Sequence, residues 1–512
     1  MIKAAASAHG EEVPPDPAAL IQSMRALGYS LPTAIADLID NSISASATEV
    51  EVSFDWAGPQ SSISVSDDGV GMDEGALRQA MRVGSKNPSD ERAADDLGRF
   101  GLGLKSAGWS QARSLSVITK AAGGATVARR WDLDHVTREQ KWLLLETLTG
   151  FGEAVWDRVD EKSHGTVVLL EDADRLVGLA PAADEAAHIR FLELARATEA
   201  HLGKVFHRFL SGHRAIEIKL NGAAVEPWDP FLENHPATQR METEVFTVDT
   251  DVGKARVEVT PFVLPHVSKL NSKEHKGAGG DAGWNSQQGF YVYRGKRLIV
   301  DGGWLGLKSM KQEEHLKLAR VRIDLDNRQD ELWQLDVRKA SASIPGVLRD
   351  ELRRIAEVAR RSAREAYAFR GKTIARDSKR DSTLNFVWQT KAIRGGGRKF
   401  TINRSHPVVS VAINADEPAR AGAVEAVVRL AEENIPVDAI ILEAREAPDR
   451  RRADPYEGKS SEVKDLLERT IEKMEGPGAS RTACLKALAV VEPFIFHPEI
   501  VAAVKEEIDA EK

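Results

Sequence analysis

The sequence predicts an α/β chain that opens with a layered helix-and-strand domain, continues through a second α/β domain and ends in mainly helical structure. Three observations lead there. Apolar residues recur at helical spacing over 32–44, then alternate with polar ones over 49–54 and 62–66. Strand-like runs return repeatedly between 215 and 325, and beyond 346 the apolar spacing is helical again. A length of 512 residues accommodates about three domains, divided at 1–200, 201–345 and 346–512.

The first helix, 32–44, carries Ile35, Leu38, Ile39 and Ile43 as one apolar stripe. Asp37 and Asn41 lie one turn apart on another face. A carboxylate and an amide oxygen at that spacing can share a hydrated magnesium ion, which prefers oxygen ligands and keeps several waters. A carboxylate there can also orient or deprotonate an attacking water. Taken alone, the helix fits an ordinary solvated polar face better, because such faces are common.

The strand 62–66 runs directly into Asp67-Asp-Gly69-Val-Gly71-Met72. A carboxylate at a strand end can accept a hydrogen bond from the exocyclic amine of adenine. Two glycines let backbone approach a flat base where a Cβ would clash. Asp-Gly is equally the usual signal of a hairpin turn. The third stretch, Gly98-Arg-Phe100-Gly101-Leu102-Gly103-Leu104-Lys105-Ser106, shifts the balance. Its glycines precede a helical run, so backbone N–H groups at a helix start can face an anion, and Lys105 adds a point charge for phosphate. Between these motifs, 74–97 is polar and reads as a mobile lid. Farther on, His164-Gly165-Thr166 opens the apolar strand 167–170, where the Thr166 hydroxyl can share a water with Asp67. Together the three segments predict an ATP site with Mg2+.

This set resembles the GHKL ATPases: DNA gyrase B, the ninety-kilodalton heat-shock chaperones, MutL and histidine kinases. The resemblance implies the Bergerat fold, an α/β sandwich with helices on one face of a mixed sheet. Leu27-Gly-Tyr-Ser30 and the Gly98–Ser106 stretch are most similar to MORC proteins and their bacterial relatives. By the resemblance Asp37 takes the general-base place, Asn41 the magnesium place and Asp67 the adenine place. Where gyrase B, MutL and animal MORC proteins carry Glu, this chain has the shorter Asp37, which implies slower hydrolysis.

The middle block contains a hairpin around Asn221-Gly222 and strands at 255–260, 289–293, 297–300 and 321–325. The segment 266–283 is polar and glycine-rich and reads as a mobile insertion. The block resembles the transducer domain of gyrase B, MutL and MORC proteins, most clearly at Gly289-Phe-Tyr-Val-Tyr-Arg-Gly-Lys-Arg-Leu-Ile299. Those transducers set one basic residue against the terminal phosphate, where charge builds in the transition state. Lys339 is the candidate here and Lys308 the alternative.

The net charge of −8 is unevenly spread. Residues 345–400 hold fifteen Lys and Arg against six Asp and Glu, which leaves 55 basic and 72 acidic residues elsewhere. Such asymmetry points to a polyanion surface, with contacts that are electrostatic and weakly sequence-specific. The arginine-rich helix 349–370 fits a solvated face equally well. The loop Arg394-Gly-Gly-Gly-Arg398-Lys399 is more suggestive, because glycines let amides and charges approach phosphates together. Helices are expected at 423–433, 461–475 and 498–511. One cysteine, Cys484, excludes a disulfide framework. No apolar run approaches the ~18 residues of a membrane span, and the start of the chain lacks the core of a signal peptide, so a cytoplasmic protein is expected.

The expected function is a slow, Mg-dependent ATPase. By the resemblance, its ATP-gated homodimer is expected to clamp or remodel DNA in a restriction or anti-phage setting with operon-encoded protein partners. The rival is an ATP-switched scaffold or chaperone-like protein with little hydrolysis, acting on a protein partner.

Overall fold

The computed structural model describes residues 15–26, 28–84, 103–176, 178, 180–251, 253–308, 310–335, 341–368, 387–392, 398–413, 418–435, 459–475 and 479–510. The chain divides into two compact units. One comprises 1–265 with 270–367, the other 266–269 with 368–512.

The first unit contains two sheets. Sheet one has seven strands: β1 (Glu49–Asp55), β2 (Ser62–Asp67), β3 (Ser114–Lys120), β4 (Thr126–Asp132), β5 (Gly165–Glu171), β6 (Glu217–Leu220) and β7 (Ala223–Ala224). Their spatial order is β4-β3-β5-β2-β1-β6-β7, and only the β1–β6 pair is parallel. Helices α1 (Pro17–Arg25), α2 (Leu31–Ser44), α3 (Glu74–Met81) and α4 (Gly103–Gln111) come before β3. Helices α5 (Leu133–Glu139), α6 (Gly150–Asp160) and α7 (Glu185–Val205) follow β4. Ser30 caps α2 by accepting from the Thr33 amide, and Pro32 sits in its first turn, where a missing N–H costs nothing.

Strand periodicity sorts the core. Ile63 and Val65 of β2 and Val50 and Val52 of β1 point into one apolar core with Ala34, Ile35, Leu38 and Ile39 of α2. On β5 the alternation serves two cores. Val168 and Leu170 join that layer, whereas Val167 and Leu169 pack on the opposite face against Val155 and Val159 of α6. The sheet is therefore covered on both faces along β3–β5, rather than carrying helices on one face alone, and β5 is buried throughout. The stretch 74–97, read from sequence as a lid, begins as a packed helix: Leu77 and Met81 of α3 are fully buried. Residues 85–102 lie outside the described ones.

Sheet two has strands β8 (Gln239–Arg240), β9 (Glu244–Thr250), β10 (Gly253–Val263), β11 (Gly289–Arg294), β12 (Arg297–Asp301) and β13 (Ala319–Leu325). The order is β12-β11-β13-β10-β8, with β9 beside β10 and β11 parallel to β13. The expected insertion at 266–283 is ordered where it forms α8 (Ser272–Gly279). It is followed by a short helix, α9 (Gly283–Ser286), and Ala278 and Trp284 are buried. The reason is Arg320 of β13, which is fully buried. Its guanidinium donates to the carbonyls of Pro230 and Ala278 and lies among the rings of Trp228, Trp284 and Tyr291 at 5.6–6.0 Å.

The basic helix α10 (Arg349–Ala368) packs Leu352, Ile355, Ala356, Ala359 and Ala363 into the core of sheet two. It thus belongs with the middle block, whereas its sequence grouped it with the C-terminal one; its apolar stripe is the deciding feature. The second unit holds the hairpin β14 (Trp388–Ala392) and β15 (Arg398–Ile402). Its helices are α11 (Pro407–Ile413), α12 (Pro418–Glu433), α13 (Ser460–Met474), α14 (Arg481–Leu488) and α15 (Pro498–Ala510). Val463, Leu467, Cys484, Leu488, Phe494 and Val504 form its core. Among the described residues no helix is long and apolar enough to cross a membrane.

Candidate functional site

The site is built where β2 ends against α2. Ile63, Val65 and Asp67 share one strand face, so the carboxylate of Asp67 is carried to the α2 layer and is 6% exposed. Ser42 Oγ donates to Asp67 Oδ2 at 2.8 Å, and the Gly69 amide donates to Oδ1 at 2.9 Å. Burial pushes this carboxyl above its usual range. The donors Ser42, Gly69 and Thr166 act the other way, and neighbouring Asp68 adds to the rise. Each carboxylate oxygen has two lone pairs, so acceptor capacity remains for a ligand amine. Asp68 behaves oppositely. Burial raises it, but the hydroxyl and amide of Thr48 and the amide of Glu49 outweigh that and hold it below the usual range.

Thr166 stands directly across from Asp67 in the β2–β5 pairing and across from Thr119 in the β3–β5 pairing. The Thr119 and Thr166 hydroxyls are 2.9 Å apart, and the Met72 amide donates to Thr119 Oγ1 at 3.0 Å. The Thr119 and Thr166 hydroxyls thus link β3 to β5 beside Asp67, which Thr166 meets through its backbone. The sequence reading missed Ser42 and Thr119. Ser42 follows Asn41 directly, and its only signal is that position; Thr119 had none, because β3 was not identified.

The two loop glycines are required by close backbone approach. A Cβ on Gly71, which has φ +66°, would sit 1.9 Å from the Lys120 carbonyl oxygen. On Gly69 it would sit 2.8 Å from the Ala45 Cβ. The Val70 amide donates to the Ala45 carbonyl at 3.0 Å, and His164 Nδ1 lies 2.8 Å from the Gly69 carbonyl. The loop is thus pinned to the end of α2 on one side and to β5 on the other.

Along α2 from Ser42, Asn41 is exposed and its amide nitrogen donates to the Asp37 carbonyl at 3.3 Å. Its remaining group of interest is the amide oxygen, which suits a hard cation. Asp37 itself is buried. Its Oδ1 lies 3.5 Å from Arg297 Nη2, and the same guanidinium donates through Nε to Asp40 Oδ1 at 2.7 Å. Sequence placed Asp37 on a polar face; in the fold that face meets a cation of sheet two.

Gly103, Leu104, Lys105 and Ser106 form the first turn of α4, which packs beside α2. Lys105 is buried and its ammonium donates to the Ala80 carbonyl at 2.8 Å, tying the start of α4 to the last turn of α3. Gly98, Phe100, Gly101 and Leu102 lie outside the described residues, as does Lys339. Lys308 is exposed. Among the described residues no three His, Cys, Asp or Glu are grouped to hold a metal.

On the basic helix several arginines are ion-paired. Arg353 meets Asp350, Arg354 meets Glu244 and Glu351, and Arg360 meets Glu313 and stacks on Trp304 at 5.4 Å. This favours the solvated-face reading for that side of α10. Of the glycine-rich loop, Arg394 lies outside the described residues, and Arg398 and Lys399 fall on β15.

Residues 29–166 match the family model described as histidine kinase-, DNA gyrase B-, and HSP90-like ATPase. The matched span begins at Tyr29, contains Asp37, Asn41, Asp67 and Gly98–Ser106, and ends on Thr166. No curated protein matches the chain. The match supports a GHKL-type ATP-binding domain in this part of the chain, with the mixed α/β architecture seen in sheet one.

Proposed function

We propose that the chain is a Mg-dependent GHKL ATPase of MORC-like type, cytoplasmic, whose ATP-gated dimer clamps or remodels DNA in a bacterial defence setting. The observation that carries the ATPase reading is the buried Asp67 in its cradle of Ser42, Gly69 and Thr166. That cradle sits on the same helix end as Asn41, within a segment matching the ATPase family. Asp67 accepts the adenine amine; Gly69 and Gly71 keep the backbone beneath the base. Asn41 would hold Mg2+ through its amide oxygen, and the ion would neutralise charge on the triphosphate. Asp37 takes the proton of the attacking water.

The DNA part rests on the basic excess of 345–400, with the stretch 394–399 as its candidate because several arginines of α10 are ion-paired. A second reading, an ATP-switched scaffold acting on a protein partner, is favoured by the short side chain of Asp37 at the general-base place. Turnover by wild type and Asp37→Ala separates the two: equal background rates favour the scaffold. Asn41→Ala should abolish magnesium-dependent turnover, and unchanged turnover would remove Asn41 from the site. Charge reversal at Arg394, Arg398 and Lys399 should weaken DNA binding and flatten its salt dependence by about one log unit per lost phosphate contact. Salt-independent or absent DNA binding would shift the reading to a protein partner.

A further inference from the structure

A buried ion cluster behind the site joins the two sheets. Arg297 is the first residue of β12 and is 2% exposed, as are the side chains it meets. Its Nε donates to Asp40 at 2.7 Å, whereas Nη2 stands 3.5 Å from Asp37, at the outer limit of a hydrogen bond. The guanidinium lies over the Phe206 ring, 5.5 Å from its centroid. His201, on α7, adds no competing charge: burial pushes its imidazole down to about 3, and Arg297 and Lys204 act in the same direction. Lys204 of α7 reaches Asp301, at the far end of β12, at 2.5 Å.

Removing three ionised groups from water costs several kcal/mol each before their attraction repays it, and an apolar contact would join two cores more cheaply. The cluster also has a direction. Asp40 and Asp37 lie three apart on α2, one beside the other, and the rigid guanidinium fork is seated on Asp40 through Nε and faces Asp37 through Nη2.

We propose that Arg297 is a positioning residue for hydrolysis: anchored on Asp40, it fixes the Asp37 carboxylate from sheet two. This rests on the reading above, in which Asp37 serves as base. In that step the water oxygen forms a bond to the γ-phosphorus and the β–γ bridging P–O bond breaks. ADP leaves with that electron pair, and the water proton passes to Asp37. Arg297 touches neither water nor phosphate; it sets where the accepting oxygen stands. Turnover then depends on the position of the β11–β12 hairpin, while base recognition at Asp67 does not.

The test uses the full chain as wild type, Arg297→Lys, Arg297→Met, Asp40→Asn and the Arg297→Met/Asp40→Asn double variant. Lysine keeps the charge but cannot span both carboxylates in a fixed fork. Arg297→Lys should lower kcat by about 10- to 100-fold, the scale of a ~1 Å misplacement, and leave the dissociation constant of a non-hydrolysable ATP analogue within about twofold. Asp40→Asn should act in the same direction, more weakly. The double variant should turn over no more slowly than Arg297→Met, since the anchor matters only through the arginine. In wild type the analogue should slow amide exchange across β11–β12, and in Arg297→Lys it should not. Undiminished kcat in folded Arg297→Lys and Asp40→Asn, or kcat and affinity falling together, overturns the proposal. If Arg297→Met fails to fold, the lysine and asparagine variants decide alone. Wild type that binds no nucleotide fails the ATPase reading itself. Binding without turnover leaves the scaffold and removes the positioning role. Turnover that is indifferent to the variants removes that role only.

Discussion

The two carboxylates of the candidate site are held by opposite means. Asp67 accepts from neutral donors on α2, on the loop after β2 and on β5: Ser42, Gly69 and Thr166. Asp37 faces a full positive charge that arrives from sheet two. Burial leaves the first carboxyl costly to ionise, and its neutral donors offset only part of that cost. The contact with Arg297 makes the place of the second depend on another sheet. On the proposed reading, recognition is local and hydrolysis is shared between two parts of the first unit.

The largest test of the local half is Gly71→Ala. A methyl 1.9 Å from the Lys120 carbonyl, at positive φ, forces the loop away from β3. We expect a loss of at least about 3 kcal/mol of stability and no measurable ATP binding; a normal melting curve would show that the loop accommodates the methyl. Next is Asp67→Asn, expected to weaken ATP binding about 10- to 100-fold, the value of a hydrogen bond to a charged group. It also has a pH signature. Because burial raises the folded value above 3.8, the folded chain binds more protons than the unfolded one between the two values. Stability therefore falls as pH rises through that window and is level above it. The asparagine variant should lose this slope and melt higher than wild type near neutral pH. A lower melting point there would mean that the carboxylate is better solvated than its burial implies.

Ser42→Ala sharpens the contrast with a smaller effect. It removes a neutral donor from a buried carboxylate, at a cost of about 1–2 kcal/mol by denaturation, and should weaken ATP binding several-fold with kcat retained once ATP saturates. The smallest effect is expected on the shared half, away from the cluster itself. Lys204→Met breaks the partly exposed pair with Asp301, worth less than about 1 kcal/mol. It should lower turnover by no more than a few-fold and leave nucleotide affinity unchanged. A shift in affinity instead would show that the two halves are not separable.

Local patterning carried much of this into the sequence. Helical spacing over 32–44 became α2 at Leu31–Ser44, and the alternation over 62–66 became β2 with Asp67 at its end. Asn221-Gly222 turns the β6–β7 hairpin with both residues at positive φ. What stayed hidden depends on contacts between distant segments. Arg297 reads as one basic residue among several in Arg-Gly-Lys-Arg, and nothing local says that it crosses to α2. β3 and β4 are interrupted by polar residues such as Ser116, Thr119 and Arg129, whose burial is a product of the pairing. The apolar stripe of α10 is visible in sequence, but the charge around it drew attention first.

The arginine at position 320 makes the stretch 272–286 non-removable by protein engineering. A redesign that trims this apparently dispensable polar, glycine-rich excursion would take away the Ala278 carbonyl and the Trp284 ring together. The buried cation of β13 would keep the Pro230 carbonyl and the Trp228 and Tyr291 rings but lose one acceptor and one ring. Anyone shortening the chain should replace Arg320 by an apolar residue in the same step, since either change alone leaves half of a matched pair.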